Sequence, residues 1–388
     1  MEGFFWKEYY VDIMWKLFWH IFLAWVCFYP RVRSINLEQE ILQSKWEDPE
    51  AIYPEIYNDM FTYAHLIDIS YCITSYGGIR EPFDCPLECS QRYPNMSLIY
   101  QFHFDNSVGG YISTTTLDPI NCKQFANDKG GNRKYVIVSL RGTRSIYDFL
   151  SDVRTEMTPY SNEGRYIRSC GPNCKIHKGF SDYYENTLAI IESRLDEELS
   201  TIKEDYEILI LGHSLGGAVA LLLALHYLDK GYTSLALVTM GQPLVGNADF
   251  TNWVDEVMSS HKPVRCNYDR KYMRIIHKED LVSTIPLRDN FHNEYCQFNN
   301  QIYINCSSST VIPPPQAVID CHDGQNIDCI KGDFNGFRHS NYYQNHNTYF
   351  RHMGLCQLEM ETCAYYLRLN VNFGKSSSSS SSSLSELS

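Results

Sequence analysis

The sequence is short of positive charge. It has 33 lysine and arginine residues against 46 aspartate and glutamate residues, a formal net charge of -13. Nucleic acids and anionic membrane surfaces attract basic proteins, so this balance argues against a nucleic-acid partner and against electrostatic attachment to a membrane. The 388 residues are 44 % hydrophobic, so the chain can bury a full core in one large domain or two moderate ones.

Zinc-ligand spacings and internal repeats are also missing. Neither short cysteine pair is a C-x-x-C, and no histidine pair has the spacing of zinc ligands. Cysteine itself is abundant, with 14 residues, which is unusual for a cytosolic enzyme because thiols stay reduced there. This usage favours disulfides in an oxidising compartment over a metal site.

The N-terminal region lacks an apolar run of full membrane length. Residues 17–28 are apolar and aromatic apart from one histidine, which is the length of a signal-peptide core. Before this stretch, acidic residues offset the lysines. If translation starts at Met14 instead, a short positively charged segment precedes the apolar stretch. Arg31 and Arg33 follow without a small-x-small cleavage site. We expect residues 1–33 to be a signal peptide, with a retained signal anchor as the alternative.

The other end of the chain is of low complexity. Residues 376–383 are a pure serine run, which cannot bury a core. We therefore expect a disordered tail over residues 371–388 and one folded domain over residues 34–370. Two sequons, at Asn95 and Asn305, predict N-glycosylation and agree with export.

Apolar runs alternate with amphipathic segments through the middle of the chain. The pattern predicts helices over residues 35–70 and 180–200. It predicts buried strands over residues 134–140, 207–211, 235–239, 272–277 and 301–304. Strands alternating with helices predict an α/β fold, with a mostly parallel sheet covered by helices on both faces.

The most specific motif lies at the end of the second of these strands. Residues 212–216 read Gly-His-Ser-Leu-Gly, and an Ala/Leu-rich helical stretch follows. This is the order of a nucleophile elbow, in which a serine occupies a sharp turn between strand and helix. Ser214 is the predicted nucleophile. The backbone N–H of Leu215, at the helix N-terminus, is a predicted oxyanion donor.

A serine nucleophile needs a base, and the base needs a carboxylate to orient it. In α/β-hydrolases these follow the serine in the order acid, then histidine. Asp280, just after the strand at 272–277, is the best acid, and Glu279 is its local alternative. Position alone does not choose among the later histidines, which are His292, His322, His339, His346 and His352.

From about residue 62 to residue 356 the chain resembles the class 3 lipase family, the fungal-type secreted triacylglycerol lipases with the α/β-hydrolase fold. Residues 141–146 match the family's Arg-Gly-Ser/Thr oxyanion segment after a strand. Residues 177–180 match its His-X-Gly-Phe block. Residues 241–247 match Gly-Gln-Pro-Arg-Val-Gly-Asn, with Leu244 in place of the usual arginine.

Two further blocks imply the acid and the base. Residues 274–286 resemble Arg-X-X-His-X-X-Asp-X-Val-Pro-X-X-Pro, which places the acid at Asp280, although Ser283 replaces the first proline. Residues 345–350 resemble Asp-His-X-X-Tyr-Phe before a terminal cysteine, which places the base at His346. A near-copy of this motif begins at His339, which remains the alternative base.

The resemblance also implies the rest of the site. Thr143 would supply the second oxyanion donor, and no metal or organic cofactor is implied. Residues 144–153 lie where the family carries its lid, and an ordinary surface helix is the alternative. Four apolar residues there have helical spacing, namely Ile146, Phe149, Leu150 and Val153.

Disulfide pairs follow from the same resemblance. It suggests Cys72–Cys356, Cys85–Cys89 and Cys321–Cys329. We expect Cys170–Cys174 to close a small loop in an insertion after the lid region.

The activity implied is hydrolysis of acylglycerol esters at an oil–water interface through a Ser214/Asp280/His346 triad. The enzyme would be a secreted monomer that contacts lipid surfaces transiently. A phospholipase A1 or a feruloyl-type esterase on the same scaffold is the alternative enzyme. A catalytically inactive binding homologue is the alternative from another class, and the complete triad argues against it.

Overall fold

The computed structural model describes residues 52–75, 77–103, 108–116, 134–142, 155–200, 206–262, 270–278, 280–286, 294–299, 301–321 and 342–357. These residues all lie in one compact unit, Trp46–Ser388. The expected signal segment at 1–33 and the expected tail at 371–388 lie outside the described residues.

The described residues form helices and strands in alternation. The helices are α1 (Pro54–Ser70), α2 (Cys89–Arg92), α3 (Lys178–Ser200), α4 (Leu215–Asp229), α5 (Ala248–Val257) and α6 (Tyr342–His346). The strands are β1 (Met96–His103), β2 (Gly109–Thr115), β3 (Lys134–Arg141), β4 (Met157–Pro159), β5 (Lys175–His177), β6 (Tyr206–His213), β7 (Leu235–Met240), β8 (Tyr272–His277), β9 (Gln301–Ile304) and β10 (Val318–Asp320). Every strand predicted from an apolar run is present, within two residues of its predicted bounds.

Eight of these strands form one sheet in the order β1-β2-β3-β6-β7-β8-β9-β10. The pairs from β3 to β9 are parallel, whereas β1, β2 and β10 add antiparallel edges. The predicted mostly parallel sheet is therefore confirmed. The antiparallel edges were not predicted, since β2 reads Gly-Gly-Tyr-Ile-Ser-Thr-Thr and has no apolar run, although all of it is buried.

Helices cover both faces of this sheet. Val138 and Leu140 of β3 belong to a core cluster with the apolar residues of α4. Ser139, which points to the opposite face because side chains alternate along a strand, donates to the backbone oxygen of Leu66 in α1 at 3.1 Å. Nearly all of α4 is buried, as expected for a helix that is apolar on every side. No helix in the described part of the chain is long and apolar enough to span a lipid bilayer.

The C-terminal end of α4 holds the insertion that carries Cys170 and Cys174. Asp229 accepts hydrogen bonds from the backbone N–H groups of Gly164 and Arg165, both at 2.9 Å. Burial would raise the pKa of Asp229, but these and neighbouring donors hold it below its usual value. The insertion is thus fixed at both ends, by Asp229 and by the Cys170–Cys174 disulfide.

One buried carboxylate makes stability depend on pH. Asp255 on α5 is only 7 % exposed, and burial raises its pKa to about 6. Its Oδ2 accepts the backbone N–H of Asn299 at 2.9 Å, but Oδ1 has no hydrogen-bond partner among the described residues. The folded state therefore holds the Asp255 proton more tightly than the unfolded state does.

We expect Asp255→Asn to stabilise the protein above pH 6. Because the pKa is higher in the folded state, the carboxyl group does not destabilise the fold below about pH 4. As the pH rises to about 6 and the group ionises, the free energy of unfolding falls by roughly 2–3 kcal/mol. Asparagine is neutral and keeps an oxygen for Asn299. Urea unfolding should show the gain at pH 8 and little change at pH 4. Asp249→Asn, an exposed change on the same helix, is the control, and an equal gain there would contradict the assignment.

Candidate active site

Ser214 occupies the turn between β6 and α4. Its backbone has φ 58° and ψ -132°, a conformation that non-glycine residues seldom adopt. The turn is too tight for a side chain at Gly212, where a Cβ would lie 2.4 Å from the backbone oxygen of Gly216. The predicted elbow is therefore a strained turn that presents its serine at the N-terminus of α4, where Leu215 is the first residue.

Asp280 lies just after β8 and is fully surrounded by donors. His346 Nδ1 lies 3.0 Å from Oδ1 and 2.9 Å from Oδ2. The Val282 N–H donates to Oδ1 at 2.9 Å, and the Tyr349 hydroxyl donates to Oδ2 at 2.6 Å. Burial would raise the pKa of Asp280, but the nearby His346 and these hydrogen bonds hold it below its usual value. The group is thus a buried carboxylate, and its alternative, Glu279, lies outside the described residues.

His346 is the last residue of α6. One of its ring nitrogens contacts Asp280, and the other has no hydrogen-bond partner among the described residues. Because an ionised carboxylate can only accept, Nδ1 carries the proton and Nε2 carries the lone pair of the neutral ring. Nε2 is buried and has no hydrogen-bond partner among the described residues. The ring centroid lies 4.7 Å from that of His213, the residue before the serine.

His352, the other candidate histidine that the structure describes, does not share this position. His352 Nδ1 is 3.4 Å from the Thr348 hydroxyl oxygen, a loose contact within its own turn. His292, His322 and His339 lie outside the described residues. The structure therefore brings His346 to Asp280, in line with the resemblance to the family motif.

Gly241 packs directly against the acid and the base. Its φ is +60°, and a Cβ there would lie 3.0 Å from both Asp280 Oδ2 and His346 Cε1. Sequence reasoning used this glycine only as part of a matching block. The fold shows why a side chain at this position would disturb the Asp280–His346 pair.

The arrangement is that of a site for acyl transfer. A hydroxyl at a helix N-terminus, a buried ring nitrogen with a lone pair and a carboxylate behind that ring are the parts required for nucleophilic attack on a carbonyl. Among the described residues, no cluster of His, Cys, Asp and Glu side chains could hold a metal ion.

Comparison with known proteins identifies the family. A family model for class 3 lipases matches residues 137–290. The crystal structure of the Lip2 lipase from Yarrowia lipolytica is 32 % identical, with a TM-score of 0.64 over 79 % of this chain and 97 % of that one. The chain belongs to the class 3 lipase family.

One further relative agrees with this assignment, and a further solved structure shares the fold. A secreted mono- and diacylglycerol lipase 2 from Gibberella zeae is 29 % identical over 301 residues, which are 73 % of this class 3 lipase and 70 % of the relative. The fold is also that of a triacylglycerol lipase whose catalytic centre is a serine protease triad. That structure is 22 % identical, with a TM-score of 0.56 over 79 % of this chain and 98 % of that one.

At one of its two departures from the family motifs, this class 3 lipase makes a hydrogen bond that a proline could not make. Ser283, in place of a proline, donates to the backbone oxygen of Asp280 at 2.8 Å. The buried Arg274 donates to the backbone oxygens of Ser283 and Gln242, at 2.6 and 2.7 Å, and so ties the acid loop to the Gly-Gln-Pro block. Leu244, in place of an arginine, is buried.

The remaining predicted residues divide into two groups. Thr143 and the expected lid residues Ile146, Phe149, Leu150 and Val153 lie outside the described residues. Cys72–Cys356, Cys85–Cys89 and Cys170–Cys174 are disulfide-bonded in the structure. Cys321 is also disulfide-bonded, and its expected partner Cys329 lies outside the described residues. Asn95 and Asn305 are both exposed.

Proposed function

We propose that this chain is a secreted serine ester hydrolase that cleaves acylglycerol esters with Ser214, Asp280 and His346. One observation carries the proposal. Asp280 holds His346 by Nδ1 and leaves the buried Nε2 without a hydrogen bond among the described residues, beside the strained turn that carries Ser214. The substrate class is that named for the relatives, which are mono-, di- and triacylglycerol lipases.

The reaction follows from the roles of these groups. His346 Nε2 takes the proton of the Ser214 hydroxyl as its oxygen attacks the ester carbonyl carbon. The tetrahedral intermediate collapses, the C–O bond to the alcohol breaks, and His346 returns the proton to the departing alcohol. Water then attacks the acyl-enzyme with the same proton movements, which releases the fatty acid and restores Ser214. Asp280 stabilises the histidinium in both steps.

Backbone donors complete the site. The Leu215 N–H lies in the first turn of α4, where N–H groups have no acceptor within the helix. We assign it to the oxyanion, together with the Thr143 N–H by resemblance to the family. Removal of one such donor typically lowers turnover by about 10²–10³-fold.

The apolar face of residues 144–153 fits a lid that covers the serine in water and opens at a lipid surface. Its members Ile146, Phe149, Leu150 and Val153 have helical spacing. Opening such a lid would expose apolar side chains, which is favourable only against lipid.

Several features support export. The Gibberella zeae relative is named a secreted lipase. The disulfides belong to an oxidising compartment, and the exposed Asn95 and Asn305 are accessible to glycosylation. We propose a catalytic domain over residues 34–370, preceded by a secretion signal in residues 1–33.

A comparison of substrates tests the proposal. Wild-type enzyme is assayed on emulsified trioleoylglycerol, on p-nitrophenyl butyrate in solution and on a phospholipid, before and after reaction with a p-nitrophenyl alkylphosphonate. We expect the highest rate on the emulsion, complete loss after reaction with the phosphonate, and the phosphonyl group on the peptide that contains Ser214.

Other outcomes would change the proposal in distinct ways. Cleavage of the soluble ester alone would make the enzyme an esterase and contradict the acylglycerol assignment. Cleavage of the phospholipid alone would favour the phospholipase alternative. No cleavage of any ester, or a phosphonyl group on another residue, would show that the site is wrong.

A further inference from the structure

Tyr71 begins a chain of buried hydrogen bonds that reaches three backbone segments around Ser214. It follows the last residue of α1 and is 5 % exposed. Its hydroxyl oxygen lies 3.2 Å from the backbone nitrogen of Gly142 and 2.6 Å from His213 Nδ1. The other ring nitrogen of His213, Nε2, lies 2.9 Å from the backbone oxygen of His346.

The direction of each bond in this chain is determined. A backbone oxygen can only accept, so His213 Nε2 carries a proton and donates a hydrogen bond to the backbone oxygen of His346. Burial, together with the nearby His346, lowers the pKa of His213 to about 3, so the ring is neutral and Nδ1 accepts. The Tyr71 hydroxyl therefore donates to Nδ1, and its oxygen accepts the Gly142 N–H.

The segments that these bonds join are far apart in the sequence but adjacent in the site. Gly142 precedes Thr143, and its backbone lies so close to the nucleophile that a Cβ there would be 2.6 Å from Ser214 Cβ. His213 precedes Ser214. His346 contributes its backbone oxygen here and its ring to Asp280. The residue after Tyr71, Cys72, is bonded to Cys356.

We propose that Tyr71 and His213 are positioning residues that fix the oxyanion segment, the nucleophile and the base relative to one another. The inference rests on the proposed function. Neither side chain takes part in proton transfer, because His213 stays neutral and uses both ring nitrogens for structural bonds. Their effect is on geometry, and a displacement of about 1 Å can lower turnover about 10²-fold.

Removal of the Tyr71 hydroxyl would break two of these bonds together. The Gly142 N–H and His213 Nδ1 would both lose this partner in a buried setting. A buried donor left unsatisfied is unfavourable, so the Gly142 segment would shift to find another acceptor. Because Gly142 precedes the expected oxyanion residue, the shift would weaken stabilisation of the transition state more than it would weaken substrate binding.

Tyr71→Phe tests the proposal directly, with Tyr111→Phe as its matched control. Tyr111 is also buried and donates to the backbone oxygen of Leu66 at 2.8 Å, from strand β2 and outside the site. On p-nitrophenyl butyrate we expect Tyr71→Phe to lower kcat roughly 10- to 100-fold with KM within about twofold. Binding of an alkylboronic acid, which forms a tetrahedral adduct on the serine, should weaken in parallel. Tyr111→Phe should lower the melting temperature and leave kcat unchanged.

A second pair of variants tests the same proposal through His213. Glutamine places an N–H group where His213 has Nε2, whereas leucine has no donor. We expect His213→Gln to keep at least about tenfold more kcat than His213→Leu, with similar melting temperatures. This pair decides the question if Tyr71→Phe does not fold.

The proposal is overturned if Tyr71→Phe keeps the wild-type kcat, or if both tyrosine variants lose kcat equally. It is also overturned if the glutamine and leucine variants have the same kcat. Failure of the proposed function looks different, because wild-type enzyme itself would then hydrolyse no ester or would not be phosphonylated at Ser214.

Discussion

Replacement of Ser214 by alanine is expected to lower kcat by about 10⁶-fold, the effect seen when a serine nucleophile of this type is removed. The hydroxyl is the group that attacks the carbonyl, and no other described side chain in the site offers one at the N-terminus of α4. Some acceleration over water, about 10³–10⁴-fold, should remain because the backbone donors and the binding surface are unchanged. The measurement is kcat on a soluble short-chain ester, with enzyme concentration determined from absorbance.

Ser139→Ala is the matched control for this prediction. Ser139 is also fully buried and lies on β3, next to the strand that leads to Ser214, but its hydroxyl donates to the backbone oxygen of Leu66 in α1. We expect it to lose some stability and to keep its turnover. A Ser214→Ala enzyme with more than about one per cent of wild-type activity, after contaminating hydrolase is excluded, would contradict the assignment of the nucleophile.

Replacement of Asp280 by asparagine is expected to lower kcat by about 10⁴-fold. His346, Val282 and Tyr349 all direct N–H or O–H groups at this carboxylate. An asparagine side chain has one oxygen and one NH₂ group, so its NH₂ must face one of these donors. If it faces His346, Nδ1 must accept, and the proton moves to Nε2, where it blocks the base. KM should change little, because Asp280 is buried behind the His346 ring.

Asp229→Asn is the control for the loss of a buried carboxylate as such. Asp229 is 6 % exposed and accepts backbone N–H groups as Asp280 does, but it holds the insertion at residues 162–174. We expect a lower melting temperature and an unchanged kcat on the soluble ester. Equal losses of kcat in the two variants would mean that Asp280 acts through stability alone.

The central strands and the chain order of the site residues could be predicted from the sequence for physical reasons. A parallel strand buried on both faces must be a nearly continuous apolar run, and a serine between such a strand and a helix needs glycines around it. The antiparallel strand β2 carries neither signal, although it lies between β1 and β3 and all of it is buried. His346 was selected from five histidines by a family motif, and the structure gives the reason in its contact with Asp280.

The roles of Tyr71, His213 and Tyr349 could not be predicted from the sequence. Tyr71 directly follows the helix predicted over residues 35–70, and it is buried like an ordinary core residue. Its hydroxyl, however, meets groups 71 and 142 residues further along the chain. No periodicity or local motif encodes such a contact, which depends on how α1 packs beside β3 and β6.

The Cys72–Cys356 disulfide makes most of this protein a covalent ring. It joins residues 284 positions apart, and every described strand, together with Ser214, Asp280 and His346, lies between them. One peptide bond cut inside the ring therefore opens it without separating the pieces, so a single proteolytic cut need not detach any active-site residue. The ring also restricts the unfolded chain, by roughly 5 kcal/mol in the loop-closure description. Both effects suit the proposed secretion, because the clipped chain remains one molecule.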